Sequence, residues 1–141
     1  MPTRKIKQFD VLTLFPEVIA PYVGASILGR AQKVGLIVVR AHQLRDWSTD
    51  KHHKVDDTPY GGGPGMVMKV DVFERAVGDV KVGKAGRAGK AGRVGKRSRV
   101  IVTSASGKTF TQADAKRLAK YDQLIFLCGR YEGIDERVAE H

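Results

Sequence analysis

Leu124-Ile125-Phe126-Leu127 is a run of four apolar residues with no alternation, closing on Cys128. A strand half exposed to water alternates apolar with polar residues, so a continuous run implies a strand covered on both faces. Three further short segments share this character: Phe9 to Leu14, Leu36 to Ala41 and Arg99 to Thr103. Helical patterns separate them. After Ser26, the residues Ile27, Leu28, Ala31 and Val34 recur at helical spacing, and Gly35 supplies a left-handed cap. Asp71, with Glu74 three residues on, reads as a reciprocal N-terminal cap opening a helix through about Val77. Thr111 to Lys120 reads as a helix burying Ala113, Leu118 and Ala119, and Ile134 to His141 as the start of another. Phe15-Pro16 is a loop or helix start. Strands alternating with helices predict an α/β fold, a mostly parallel sheet with helices on both faces.

The 141 residues, 42% hydrophobic, suit one domain over residues 1–141. No stretch reaches the roughly eighteen apolar residues of a membrane span, and Met1 to Gln8 lacks a secretory apolar region. The expectation is a cytoplasmic protein with no membrane association. Cys128, the single cysteine, reads as a core residue. Net charge is +10, of which eight charges fall between Lys81 and Arg99, where there is no acid. Within that span, from Gly83 to Lys96, glycine and a cation each return every third residue. Residues 80–99 therefore read as a basic, glycine-rich disordered insertion. It is either a solvated spacer or an arm adding nonspecific phosphate contacts.

In open parallel sheets ligands gather beyond the carboxyl ends of the strands. Two segments leave those ends: Thr103-Ser104-Ala105-Ser106-Gly107, small residues that let backbone groups approach a ligand, and Gly129-Arg130-Tyr131-Glu132-Gly133. The second fits an adenosyl group or an ordinary strand-to-helix turn equally well. Inside the polar connection Asp46 to Gly65, the run Asp56-Asp57-Thr58-Pro59-Tyr60-Gly61-Gly62-Gly63-Pro64-Gly65 places two carboxylates beside glycines bracketed by prolines. Exposed amides in such a loop can bond a base edge or a phosphate. His52 and His53 are adjacent and no second His or Cys pair closes a shell, so no metal site is read there.

Together these motifs make the chain similar to the bacterial tRNA (guanine-N1)-methyltransferase family of the trefoil-knotted SPOUT superfamily. The resemblance rests on Leu14-Phe15-Pro16-Glu17, Gly29-Arg30-Ala31, Arg45-Asp46, Asp50-Lys51-His52, Val55-Asp56-Asp57, Pro59 to Met66 and Cys128 to Val138. It implies a knotted domain, a homodimer, tRNA as partner and S-adenosylmethionine as cofactor. It implies that Thr103, Ser104, Ala105, Gly129 and Tyr131 hold that cofactor. Glu132 supports the pocket or a magnesium ion. Asp56, Gly61 and Gly65 receive the target guanine, the one immediately 3′ of the anticodon. Ala105 stands where the family commonly has proline. The resemblance places a third cofactor loop, the general base and a tRNA-gripping domain after His141, so the knot is incomplete within these residues and no catalytic base is assigned among them. The alternatives are a cofactor-binding fragment without activity and a basic RNA-binding module.

Overall fold

The computed structural model describes residues 5–49, 51, 70–81, 97–104 and 107–128, and the backbone of 56–57 and 67–68. Four parallel strands, β1 (Lys7–Thr13), β2 (Ile37–Gln43), β5 (Ser98–Val102) and β6 (Gln123–Leu127), form a sheet in the order β2-β1-β6-β5. The remaining elements are α1 (Pro16–Val23), α2 (Ser26–Lys33), a 3₁₀ turn (Leu44–Trp47), β3 (Asp56–Asp57), β4 (Val67–Met68), α3 (Val70–Val80) and α4 (Gln112–Leu118). This is the parallel α/β arrangement the sequence predicts. Each strand lies within two residues of its expected bounds.

Strand registers divide the side chains between two faces. Gln8, Asp10 and Leu12 of β1 align with Gln123, Ile125 and Leu127 of β6, and all six are buried. Against this face α3 packs Val72, Phe73, Ala76 and Val80, with Leu14 and Leu44 completing the core. Each large apolar side chain so buried contributes roughly 1.5–3 kcal/mol. On the other face Val39 and Ala41 of β2 lie beside α1 and α2, where a hollow of about 170 Å³ remains, also lined by Ile19, Val23 and Gln32. Helices therefore cover both faces.

The turn between α2 and β2 follows from Gly35. Its φ of 76° closes a Schellman motif, in which Leu36 N–H bonds Ala31 C=O at 2.9 Å and Gly35 N–H bonds Gln32 C=O at 3.1 Å. Proline at the first position starts α1, because that residue's N–H has no helical partner anyway. The segment read as a loop or helix start is thus an eight-residue helix.

Three local expectations are corrected. Asp71 does not cap α3. It is the helix's second residue and accepts from Arg75 Nη1 at 3.3 Å one turn on. The helix also runs to Val80, because Val80 is fully buried with Ala76 and extends the apolar stripe past Val77, and with Ser98 and Arg99 in β5 the expected disordered insertion 80–99 is ordered at both its ends. In α4, Ala113 and Ala119 are exposed, and the inward residues are Asp114 and Leu118, one turn apart. An acid faces inward there because it is fully engaged: Asp114 and Thr111 form a capping box, and Arg117 Nη2 donates to Asp114 Oδ1 at 3.0 Å. Finally, the polar connection Asp46 to Gly65, where no strand is read, contributes Asp56 and Asp57 to a two-residue strand that pairs with Met68 and Val67. The expected helix Ile134 to His141 lies outside the described residues.

Candidate functional site

Thr103 and Cys128 leave neighbouring strands side by side. Val102 pairs with Leu127, the last residue of β6. The Leu127 carbonyl then accepts from both Thr103 N–H at 3.1 Å and Thr103 Oγ1 at 3.0 Å. On the other side, Cys128 N–H donates to Leu12 C=O at 3.0 Å, tying the segment after β6 to β1. The strand ends from which the two segments singled out in sequence depart, Thr103 and Cys128, therefore lie together at the carboxyl edge of the sheet, and residues 129–133 lie outside the described residues. Ser104 begins a turn closed by Gly107 N–H to its carbonyl at 3.3 Å.

Among the described residues at the end of β5, Thr103 and Ser104, the polar groups in view are backbone amides and carbonyls and two exposed hydroxyls; the first described charge beyond them is Lys108, whose Nζ lies 3.6 Å from Asp114 Oδ1. Such a donor set suits a neutral nucleoside, whose base and ribose are read by hydrogen bonds. Cys128 is not equipped as a nucleophile. Burial pushes its thiol above the usual range, and the Thr103 hydroxyl offsets this only in part. It is a packing residue, as read from sequence.

The carboxyl end of β2 leads into the connection bearing Asp56. Its root is fixed by a clamp: Arg75 donates to the Trp47 carbonyl from Nε at 2.9 Å and Nη2 at 2.7 Å, and Trp47 Nε1 donates to Asp79 Oδ2 at 2.7 Å. Leu44 is fully buried beneath it. The His42 ring meets Trp47 edge-on, with centroids 6.0 Å apart.

Sequence reasoning passed over a buried polar cluster beneath this edge. Asp10 Oδ2 accepts from Gln8 Nε2 and Gln123 Nε2, each at 2.7 Å, while Gln123 Nε2 also reaches the Val80 carbonyl at 2.7 Å. Asp10 Oδ1 lies 2.7 Å from His42 Nε2. A charged residue inside an apolar strand pattern was the available signal: Asp10 sits in Phe9-Asp10-Val11-Leu12.

Of the residues proposed for the site, Thr103 and Ser104 come together with Cys128. For Asp56 the backbone in β3 is described. Ala105, Gly129, Tyr131, Glu132, Gly61, Gly65, His52 and His53 lie outside the described residues. Among the described residues no helix is long and apolar enough to cross a membrane.

Residues 7–141 match the family model described as tRNA (Guanine-1)-methyltransferase TrmD. The tRNA (guanine-N(1)-)-methyltransferase of Arthrobacter sp. is 50% identical over 133 residues, 94% of this chain and 46% of the relative. That of Thermobifida fusca is 49% identical over 94% of this chain and 47% of the relative. The crystal structure of the tRNA (m1G37) methyltransferase from Aquifex aeolicus superposes with a TM-score of 0.79 at 35% identity, over 96% of this chain and 56% of that one. The chain spans about half the length of the curated relatives it matches.

Proposed function

Because the chain belongs to the tRNA (guanine-1)-methyltransferase family, we propose that it forms the donor-binding domain of an enzyme that methylates N1 of the guanosine immediately 3′ of the anticodon in tRNA. The observation that carries this reading is the shared Leu127 carbonyl, which sets the ends of β5 and β6 side by side. S-adenosylmethionine, when bound, supplies the electrophilic methyl group.

The roles of the chain's own residues follow from what the reaction needs. In-line displacement requires the donor and N1 to be held in one line. Thr103, Ser104, Ala105, Gly129 and Tyr131 hold the adenosyl group through backbone atoms and an aromatic ring. Glu132 supports that pocket, alone or with a magnesium ion. Asp56, Gly61 and Gly65 orient the guanine through amides and a carboxylate. N1 becomes nucleophilic only once its proton leaves, and we assign that base to no residue of this chain. The reading includes a trefoil knot, a cytoplasmic homodimer, and the basic glycine-rich repeat Gly83 to Lys96 as either a solvated spacer or an arm for nonspecific phosphate contacts.

Titration calorimetry with S-adenosylmethionine tests donor binding, and methyl incorporation into a tRNA transcript tests turnover. The reading predicts saturable binding that Gly129→Val weakens at least tenfold, by adding a branched side chain where backbone meets ligand. Absence of saturable binding in the folded wild-type chain contradicts it. Deleting Lys84 to Lys96 tests the arm, since an unchanged salt dependence of RNA binding excludes it.

A further inference from the structure

In a parallel sheet all strands begin at one edge, and helices that return the chain end there too. Five exposed cations collect at that edge: Lys5 before β1, Lys33 at the end of α2, Lys81 after α3, Arg97 before β5 and Lys120 before β6. Hydrogen bonds show that these segments adjoin. Lys7 N–H donates to Leu36 C=O, Gln8 N–H to Asp122 C=O, and both Asp122 and Gln123 N–H to Arg97 C=O. Gln123 Nε2 reaches the carbonyl of Val80, the residue before Lys81. The acids nearby are Asp122, whose Oδ2 accepts from Arg97 N–H, and Asp79, engaged by Trp47.

At the carboxyl edge the balance differs. The described charged residues following the strands there are Glu17 after β1, Arg45, Asp46 and Lys51 after β2, and Lys108 after β5, the last paired with Asp114. Charge is thus sorted by edge: strongly positive where strands begin, near neutral where the proposed donor site lies. Cations beside helix ends also offset the helix dipoles, which accounts for Lys33, Lys81 and Lys120. That explanation does not reach Lys5 or Arg97, which precede strands. Lys7 is the cation spent on capping, with Nζ bonding the Leu118 and Tyr121 carbonyls at 3.1 and 2.7 Å. Arg97 instead lies over the Tyr121 ring, 5.3 Å from its centroid, a flat cationic platform at the surface.

We propose that this edge is a second RNA contact surface, which grips the phosphate backbone through Lys5, Lys33, Lys81, Arg97 and Lys120, remote from the methyl-transfer end. Three strand spacings of about 4.8 Å make the edge about 14 Å long, enough to face several phosphates of a duplex, whose two strands together carry one charge per roughly 1.7 Å of helix axis. The occupant is RNA because a row of cations this long, with few acids, complements a polyphosphate. The assignment rests on the tRNA reading above for the identity of that polymer, and it holds whether or not residues 82–96 contribute.

The test is fluorescence anisotropy of a labelled tRNA transcript with the full chain, from about 50 to 200 mM salt. The variant neutralises Lys5, Lys33, Lys81, Arg97 and Lys120 to Gln, and a second variant changes the four lysines to Arg. Each lost phosphate contact lowers the slope of log K against log salt by about 0.7 to 0.9. The proposal expects the Gln variant to lose roughly three or more units of slope and the Arg variant to keep it, with circular dichroism unchanged in both. An unchanged slope in the folded Gln variant overturns it, as does absence of tRNA binding by the wild-type chain. Titration with S-adenosylmethionine separates the two readings. Donor binding with a flat slope response sinks only the edge, and loss of slope without donor binding sinks only the methyltransferase reading.

Discussion

Asp10 Oδ1 and His42 Nε2 lie 2.7 Å apart across the β1–β2 boundary, with Asp10 only 1% exposed. The same carboxylate accepts from the amides of Gln8 and Gln123 through its other oxygen, so one buried acid satisfies donors on three strands. A buried carboxylate in an α/β core is tolerated because its hydrogen bonds replace those it had with water.

Removing Asp10 strands those donors. Asp10→Ala leaves two amides and an imidazole without their shared acceptor, each costing about 1–3 kcal/mol when buried and unpaired. We expect a net loss of about 3 kcal/mol in urea unfolding followed by far-UV circular dichroism. A loss below about 1 kcal/mol contradicts the role given to this cluster.

Arg75 holds the 3₁₀ turn to α3 through two bonds to the Trp47 carbonyl. Arg75→Ala should cost about 1–2 kcal/mol, since bonds from a charged donor are worth more than neutral ones. Amide hydrogen exchange at Arg45 to Ser48 should rise with it. Unchanged exchange there means the turn is held by Leu44 packing alone.

Gly29 stands against the chain that links the two first helices. A Cβ added there falls far inside contact distance of the Gly24 carbonyl oxygen, a backbone atom. Gly29→Ala should therefore force α1 and α2 apart and cost about 1–3 kcal/mol, the usual penalty of overpacking. A thermal midpoint equal to wild type contradicts this geometry.

Asp114 gives a pH dependence of known sign. The Thr111 backbone N–H first, then the Arg117 guanidinium and the Thr111 hydroxyl, hold its carboxyl down at about 2 against an ordinary 3.8. A depressed folded-state value means its stabilisation is complete above about 3.8 and is lost as pH falls through about 2. The urea-midpoint difference between wild type and Asp114→Asn should be constant from pH 5 upward and shrink below pH 4. A difference that grows with acidification reverses the sign and refutes the assignment.

Elements whose residues contact one another locally were legible in the sequence. Gly35 announced its own turn and the run Leu124 to Leu127 its covered strand, whereas Thr111, read as the first residue of a helix, is instead the cap of α4. That Thr103 and Cys128 would lie side by side was also visible, because neighbouring strand ends in a parallel sheet converge whatever the side chains. What remained hidden depends on distant partners. Asp10 and Gln123 are 113 residues apart, and nothing in Phe9-Asp10-Val11 names the amide that will meet the carboxylate. Asp114 was not singled out in the sequence, because what lets it turn inward is its capping bonds with Thr111, which its residue type alone does not announce. The edge charge was masked by the glycine-rich repeat. Lys5, Lys33 and Lys120 are scattered in sequence and assemble only when the strands align.

The most direct test of the donor site is an ¹⁵N NMR titration of the chain with S-adenosylmethionine. The proposed geometry predicts saturable shifts at Thr103, Ser104 and Cys128 together, extending into Gly129 to Glu132, while Lys5, Lys33, Lys81, Arg97 and Lys120 stay unmoved. Shifts that never saturate, or that gather away from Thr103 and Cys128, contradict it.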